Sequence, residues 1–280
     1  MSTRPPFVEL LDAARAAGRG VGAFNVVLLE HAEAMAAGAA RAGLPVVLQI
    51  SENCIRYHGG LEPLTVATQA IARAVDVEVL VHLDHVEDPE LARRGIDLGV
   101  DSIMYDGSKL PYAENVAATR ALAEEAHAAG IALEAELGEV GGKDGVHAPG
   151  ARTDPDEAAE FVAATGVDAL AVAVGTSHAM QTRVASVDRD LIARLAASVP
   201  VPLVLHGSSG LSDEELRAAV EVGMTKVNIS THLNGVFTRA VRAVLADRPD
   251  LTDPRKYVAA GRAALEDETE RLLRLLAGTA

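Results

Sequence analysis

Short runs of Val, Ile and Leu, bounded by Gly, Pro or charge, alternate along this chain with Ala-rich stretches of helical period. A brief apolar run suits a strand buried on both faces, and a longer amphipathic stretch suits a helix laid on a sheet. The pattern predicts eight strands: Val21–Val27, Pro45–Ser51, Val79–Val86, Asp101–Gly107, Ala132–Val140, Ala169–Gly175, Pro202–Ser208 and Lys226–Thr231. A helical stretch follows each. Asp88-Pro89-Glu90 offers an N-cap, a Pro for the first turn and an acid, and Ser212-Asp213-Glu214-Glu215 reads as a capping box. Gly43, Gly99, Gly130, Gly166 and Gly223 each stand where a helix must end before the next strand.

Repeated βα units with no break in composition predict one domain over residues 1–280, of α/β class: a single (β/α)8 TIM barrel with extra C-terminal helices. An open doubly wound sheet is the rival, and neither a linker nor a Gly-rich dinucleotide fingerprint supports it. Phe7–Ala17 is expected as a helix over the barrel bottom. Leu233–Leu245 and Tyr257–Leu276 are expected as amphipathic helices of a C-terminal extension spanning about 233–280. The stretch Gly138–Pro155 follows the fifth strand, is rich in Gly and has no regular pattern, so it is a candidate active-site lid.

Composition narrows the partners. A formal charge of −15 argues against nucleic acid or an anionic membrane, both of which demand a basic face. A phosphorylated small molecule stays compatible if a metal ion and backbone N–H groups reverse the field locally. The lone Cys54 rules out an internal disulfide and is expected to pack rather than react. No leader-like or membrane-length apolar run is found, so the cytoplasm is the expected compartment.

In a barrel the C-terminal ends of the strands build the active site. Those positions hold Asn25, then Gln49 and Ser51, then Asp84 and His85, Asp106, Glu134 and Glu136, His178, His206 and Asn228. Every one is polar where the chain is otherwise apolar. His85, His178 and His206 end strands three, six and seven, and three imidazoles with one open position make a catalytic zinc site. Asp84 and His85 are neighbours, so the strand must turn into its loop for both to face one site. His82 is expected to point inward, whereas His31, His58, His127, His147 and His232 are expected at the solvated surface. Glu134 and Glu136 lie two apart on one strand face, and paired carboxylates suit proton transfer or a ligand position. His206-Gly207-Ser208-Ser209-Gly210 and Asn228-Ile229-Ser230-Thr231 end strands seven and eight, where barrels commonly hold phosphate.

These residues resemble the class II, zinc-dependent ketose-bisphosphate aldolases of the fructose- and tagatose-bisphosphate type. The likeness runs from about Val21 to Tyr257. It is carried by AFNV (Ala23–Val26), LQIS (Leu48–Ser51), HLDH (His82–His85), MYDGSKLP (Met104–Pro111), EAELGEVGG (Glu134–Gly142), VGTSH (Val174–His178), LHGSSG (Leu205–Gly210), KVNIST (Lys226–Thr231) and DPRKY (Asp253–Tyr257). The resemblance implies a lyase that reversibly cleaves a phosphorylated ketose to dihydroxyacetone phosphate and an aldehyde. It implies His85, His178 and His206 as zinc ligands and Asp84 as the acid/base at the C4 hydroxyl, with Asp106 and Glu136 near a second metal position. Gly175, Ala179, Gly207, Ser208, Ser209, Asn228, Ile229, Ser230 and Thr231 would form the dihydroxyacetone-phosphate pocket, with Asn228 beside the enediolate and a monovalent cation (Na+ or K+) near the phosphate. Asn25, Gln49 and Ser51 would meet the aldehyde half. Arg255 would meet a second phosphate, reaching a neighbouring subunit of a homodimer or homotetramer.

The chain departs from the family pattern in three places. Ala179 and Met180 stand where Gly and an aromatic are usual, and Gly141–Gly145 is one residue short and carries Lys143, leaving Asp144 as the nearest proton carrier for the enediolate carbon. Ser51–Arg56 replaces a run of small residues, which points to an altered aldehyde pocket. Three other readings compete. A zinc-dependent barrel hydrolase would want an HxH pair at strand one and Asp at strand eight, where Asn25 and Asn228 stand. A Schiff-base aldolase would need Lys at a strand end, but Lys226 enters strand eight and Lys109 follows a turn. A non-catalytic subunit of the same barrel is the third. The residues do not choose the sugar.

Overall fold

The structure is a computed structural model that describes residues 5–137, 152–176 and 185–279. The strands are β1 (Val21–Asn25), β2 (Val46–Ser51), β3 (Val79–Val86), β4 (Ser102–Tyr105), β5 (Ala132–Glu136), β6 (Ala169–Ala171), β7 (Leu203–Leu205) and β8 (Met224–Ile229). They pair in parallel in sequence order, and β8 closes on β1 through Val21 opposite Lys226. The result is the closed (β/α)8 barrel the alternation predicts. β3 has the bounds its apolar run predicts and β2 lacks only Pro45, whereas β1, β4, β5, β6 and β7 end early because their runs continue into the loops above the barrel. β8 instead begins two residues early, at Met224.

Helix α1 (Pro6–Ala16) plugs the barrel bottom. Phe7, Val8 and Leu11 pack against the inward-facing Val21, Ala23, Val47, Leu80, Met104, Ala132, Ala169, Ala171 and Val204. Burying a ring such as Phe7 contributes roughly 1.5–3 kcal/mol. Period-two alternation then sets what lies above the plug: His82 and Asp84 on β3, Glu134 and Glu136 on β5, Lys226 and Asn228 on β8. The opposite faces of the strands carry Leu48, Ile50, Leu83, Ile103 and Leu133 into the outer core beneath the helices.

The helices between strands are α2 (Leu29–Ala42), then α3 (Glu52–Tyr57) and α4 (Glu62–Ala72) together after β2, α5 (Pro89–Leu98), α6 (Tyr112–Ala128), α7 (Pro155–Thr165), α8 (Arg189–Ser198) and α9 (Asp213–Glu221). Asp88 and Ser212 cap α5 and α9 as the sequence predicts, accepting from Glu90 N at 2.9 Å and Glu215 N at 3.2 Å. Gly43, Gly99 and Gly166 are left-handed C-caps, while Gly130 and Gly223 take positive φ one residue beyond theirs. The C-terminal helices α10 (Thr231–Asp247) and α11 (Pro254–Leu276) start earlier than their apolar periods suggest, since Asp253 caps α11 and Pro254 opens it. α11 lies along α2, where Gly38 brings the two backbones together. Among the described residues no helix is long and apolar enough to cross a membrane.

That cover overturns one expectation. His31, on the first turn of α2, is buried rather than solvated and lies against Phe237 of α10, the rings tilted by 30° with centres 4.7 Å apart. Burial lowers its pKa to about 4. His58, His127 and His232 are part-exposed or exposed, while His147 lies outside the described residues. Cys54 is buried with its thiol pushed up to about 11 by burial, in keeping with a packing role.

Candidate active site

β3 ends irregularly. Its ladder with β4 runs His82–Ser102 and Leu83–Ile103, then shifts so that Val86 meets Tyr105. Within the shift His85 adopts φ +50, the single positive value among the described non-glycine residues. Such backbone costs roughly 1–3 kcal/mol. What it achieves is direction: adjacent strand residues normally face opposite sides, and here Asp84 and His85 reach the same space. Asp84, His85 and His206 bring ligand atoms within 4.8 Å of one another, and so do His85, Asp106 and Glu136.

The hydrogen bonds fix how the rings are presented. His85 Nδ1 lies 2.9 Å from Asp106 Oδ2, and His206 Nε2 lies 3.3 Å from Glu134 Oε1. An ionised carboxylate can only accept, so these nitrogens carry the protons; Asn228 Nδ2 stands 3.1 Å from His206 Nε2, and with that N–H in place the amide is read with its oxygen and nitrogen exchanged, so that it accepts. The remaining nitrogens, His85 Nε2 and His206 Nδ1, then present lone pairs to each other at 3.0 Å. Two lone pairs at that distance repel unless a cation lies between them. A shared proton would make one ring an imidazolium, and burial pushes the His206 pKa down, against that state. The donor set therefore fits a metal ion, with each imidazole oriented by a carboxylate behind it. Asp106 is itself held, accepting from Ser108 Oγ at 2.6 Å.

Asp84 sits at the end of a chain of amides. Gln49 Nε2 donates to Asn25 Oδ1 at 2.9 Å, and Asn25 Nδ2 donates to Asp84 Oδ2 at 2.9 Å. Asp84 Oδ1 makes no hydrogen bond among the described residues. Burial alone would raise its pKa, but the imidazoles of His85 and His206 and the Lys226 ammonium hold it down to about 2. Asp84 is thus a buried carboxylate kept ionised, with one oxygen aimed by Asn25 and one available.

Below lies a layer the sequence reading largely missed. Lys226, mid-strand on β8, is fully buried with Nζ 2.9 Å from Glu134 Oε2. His82, inward as expected, has Nδ1 2.7 Å from Ser102 Oγ and stacks on Phe7 of the plug. Burial and the neighbouring ammonium depress its pKa to about 3, so this ring is neutral. The signal for Lys226 was a charged residue inside a predicted strand, on the same face as Asn228 two positions on.

On the opposite rim, Gly207 takes φ +68 and leads into a 3-10 turn at Ser208–Gly210. Ser208 Oγ donates to Asn228 O, and Ser209 Oγ accepts from Ser230 N at 3.2 Å, tying the two small-residue segments together. Helix α10 then starts at Thr231 with no side-chain cap, while Ile229 is buried core. Thr176 Oγ1 donates to His206 O at 2.6 Å beside Gly175, whose φ is +106. Ser51 caps α3 at Cys54 N, so its hydroxyl serves the helix. Arg255 is not brought to this cluster: its guanidinium is exposed and pairs with Asp253. His178, Ala179, Asp144 and most of the expected lid lie outside the described residues.

A barrel whose mouth gathers imidazoles backed by carboxylates offers a group that could hold a metal ion beside a carboxylate able to move a proton. The family model described as fructose-bisphosphate aldolase class-II matches residues 6–279. Three solved structures are similar along nearly their whole length. The YdjI aldolase of Escherichia coli K12 is 29% identical, with 96% of each chain covered and a TM-score of 0.85. A putative fructose-1,6-biphosphate aldolase from Coccidioides immitis is 30% identical, with 99% of this chain and 97% of that one covered and a TM-score of 0.88. A fructose-bisphosphate aldolase from Campylobacter jejuni, 22% identical with 99% and 95% covered and a TM-score of 0.80, shares the fold. The chain belongs to the class II fructose-bisphosphate aldolase family and is therefore an aldolase, a carbon–carbon lyase.

Proposed function

We propose that this aldolase is zinc-dependent and reversibly cleaves a phosphorylated ketose to dihydroxyacetone phosphate and an aldehyde. The observation that carries the reading is the 3.0 Å approach of His85 Nε2 to His206 Nδ1, each ring anchored through its other nitrogen to a carboxylate. Nitrogen donors favour Zn2+ over Mg2+. His85 and His206 would hold it together with His178. Asp106 and Glu136, grouped with His85, suit a second metal position.

The chemistry a zinc ion would supply there is Lewis-acid: it would polarise the ketose carbonyl and offset the negative charge developing on its oxygen. Asp84 takes the C4 hydroxyl proton in cleavage and returns it in condensation; Asn25 aims the carboxylate, and Gln49 aims Asn25. Asn228, beside His206, serves the developing enediolate. The corner made by Gly207, Ser208, Ser209, Ser230 and Thr231 at the start of α10 suits the phosphate, with Gly175 alongside. Arg255 is exposed and pairs with Asp253, which leaves it accessible for a contact across a homodimer or homotetramer to a second phosphate. Membership of the fructose-bisphosphate aldolase family and the likeness to the Coccidioides fructose-1,6-biphosphate aldolase support a fructose-type bisphosphate as substrate.

The test is dihydroxyacetone phosphate release from a panel of phosphoketoses, before and after chelation. Activity is expected to vanish with the metal, return with Zn2+, and survive borohydride added with substrate. Activity that persists without metal and is trapped by borohydride would overturn the reading.

A further inference from the structure

Helix α3 opens with Glu52, whose side chain is 8% exposed. Its Oε2 accepts from Glu87 N at 2.6 Å and from Asp88 N at 3.3 Å, while its Oε1 pairs with Arg56. Those two peptides follow His85 by two and three positions. On the strand side the same segment is fixed by Asp106 N donating to Val86 O at 2.8 Å. A left-handed residue turns the chain off the ladder, so the N–H groups that follow must find acceptors elsewhere. Here they converge on one carboxylate oxygen. Glu52 is itself fixed from below, because Ser51 pairs with Asp84 in the β2–β3 register and caps α3 at Cys54 N.

We infer that Glu52 is a positioning residue: from the β2–α3 corner it secures the peptide beyond His85 and so aims the His85 imidazole and the Asp84 carboxylate into one site. It is not a member of either ligand group. It acts through backbone, by two accepted hydrogen bonds, and its length rather than its charge is what matters. The inference rests on the metal-dependent reading above.

The variants are Glu52→Asp, Glu52→Gln and Arg56→Ala, with Co2+ as the probe. Affinity is measured by competition with a chromophoric chelator, and geometry by the visible absorption of the bound ion. Glu52→Asp is one methylene short and is expected to bind Co2+ about 10–100-fold more weakly with a shifted band, the usual loss when an outer partner of a ligand goes. Its kcat is expected to fall with KM for dihydroxyacetone phosphate within about twofold. Glu52→Gln keeps an oxygen at the right reach and is expected to stay within about threefold of wild type, as is Arg56→Ala. A Glu52→Asp protein with wild-type affinity and spectrum overturns the inference, and so does a Glu52→Gln protein as impaired as Glu52→Asp.

Should Glu52→Asp fail to fold, the wild-type protein decides, because coupling is reciprocal. Amide exchange at Glu87 and Asp88 is expected to slow on Co2+ binding, by about tenfold; unchanged exchange overturns the inference. Wild-type protein that takes up no Co2+ overturns this inference and the zinc reading together, whereas loading of wild type and Glu52→Asp alike overturns this one alone.

Discussion

Lys226 Nζ and Glu134 Oε2 lie 2.9 Å apart inside the barrel, and neither side chain exposes any surface. Burial favours the neutral carboxyl, but the ammonium and the His206 N–H hold Glu134 ionised, with its pKa well below the ordinary carboxylate range. Glu134 in turn accepts from His206, so the ammonium indirectly sets which nitrogen of that ring faces His85. Removing one member of a buried pair leaves the other charged and alone, at about 3–5 kcal/mol. Lys226→Met is therefore expected to lose that much in urea unfolding, and Lys226→Met/Glu134→Gln to recover at least half of it. A single variant as stable as wild type would show that the pair contributes little.

Asp84 separates two roles that geometry leaves adjacent, since it can act as a base and also lies within ligand reach of His85 and His206. Asp84→Asn keeps size and hydrogen-bonding capacity but cannot accept a proton. Turnover is expected to fall about 10²–10⁴-fold, the range for losing a positioned base, with zinc content unchanged. Zinc measured in the purified variant decides: loss of the ion along with activity would make Asp84 a ligand.

Much of this was legible because barrel geometry maps strand ends to one face. Alternating apolar runs announced the eight strands, and the polar residues that ended them proved to include Asn25, Asp84, His85, His206 and Asn228 in mutual contact. The awkward adjacency of Asp84 and His85 even called for a break in the strand, and a register shift with φ +50 provides it. Contacts between distant segments were not legible. Local pattern placed His31 on a solvated helix face, since it could not know that α10 would cover that face. Glu52 reads as an ordinary first-turn acid until the loop after β3 is seen to end on it.

His31 supplies a pH test. Its folded pKa, about 4, is below the ordinary 6.5, so between those values the unfolded chain binds the extra proton. Its neutral form in the fold is therefore no penalty above pH 6.5, and stability falls as pH drops from there toward 4. At about 1.4 kcal/mol per unit the loss reaches roughly 3 kcal/mol. His82, at about 3, adds a slope of the same sign. Comparing wild type with His31→Gln across pH 4–7 in urea isolates the first: the difference between them is expected to shift in favour of the variant as pH falls. Parallel curves would mean that His31 titrates normally.

The same substitution at two helical glycines is expected to change stability in opposite directions. A Cβ on Gly38 of α2 would lie 2.6 Å from Glu266 O and 2.8 Å from Thr269 Cβ on α11. A backbone oxygen cannot rotate aside, and overpacking of this kind costs about 1–3 kcal/mol, more than the ~1 kcal/mol by which Ala outranks Gly in a helix. At Gly235 of α10 the nearest atom is Arg239 Nη1 at 3.0 Å, the tip of a flexible side chain, so the propensity gain survives. Gly38→Ala is thus expected to lower the unfolding free energy by up to about 2 kcal/mol, and Gly235→Ala to raise it by up to ~1 kcal/mol. If Gly38→Ala were stabilising, α11 would have to sit farther from α2 than the structure has it, and the cover that buries His31 would loosen with it.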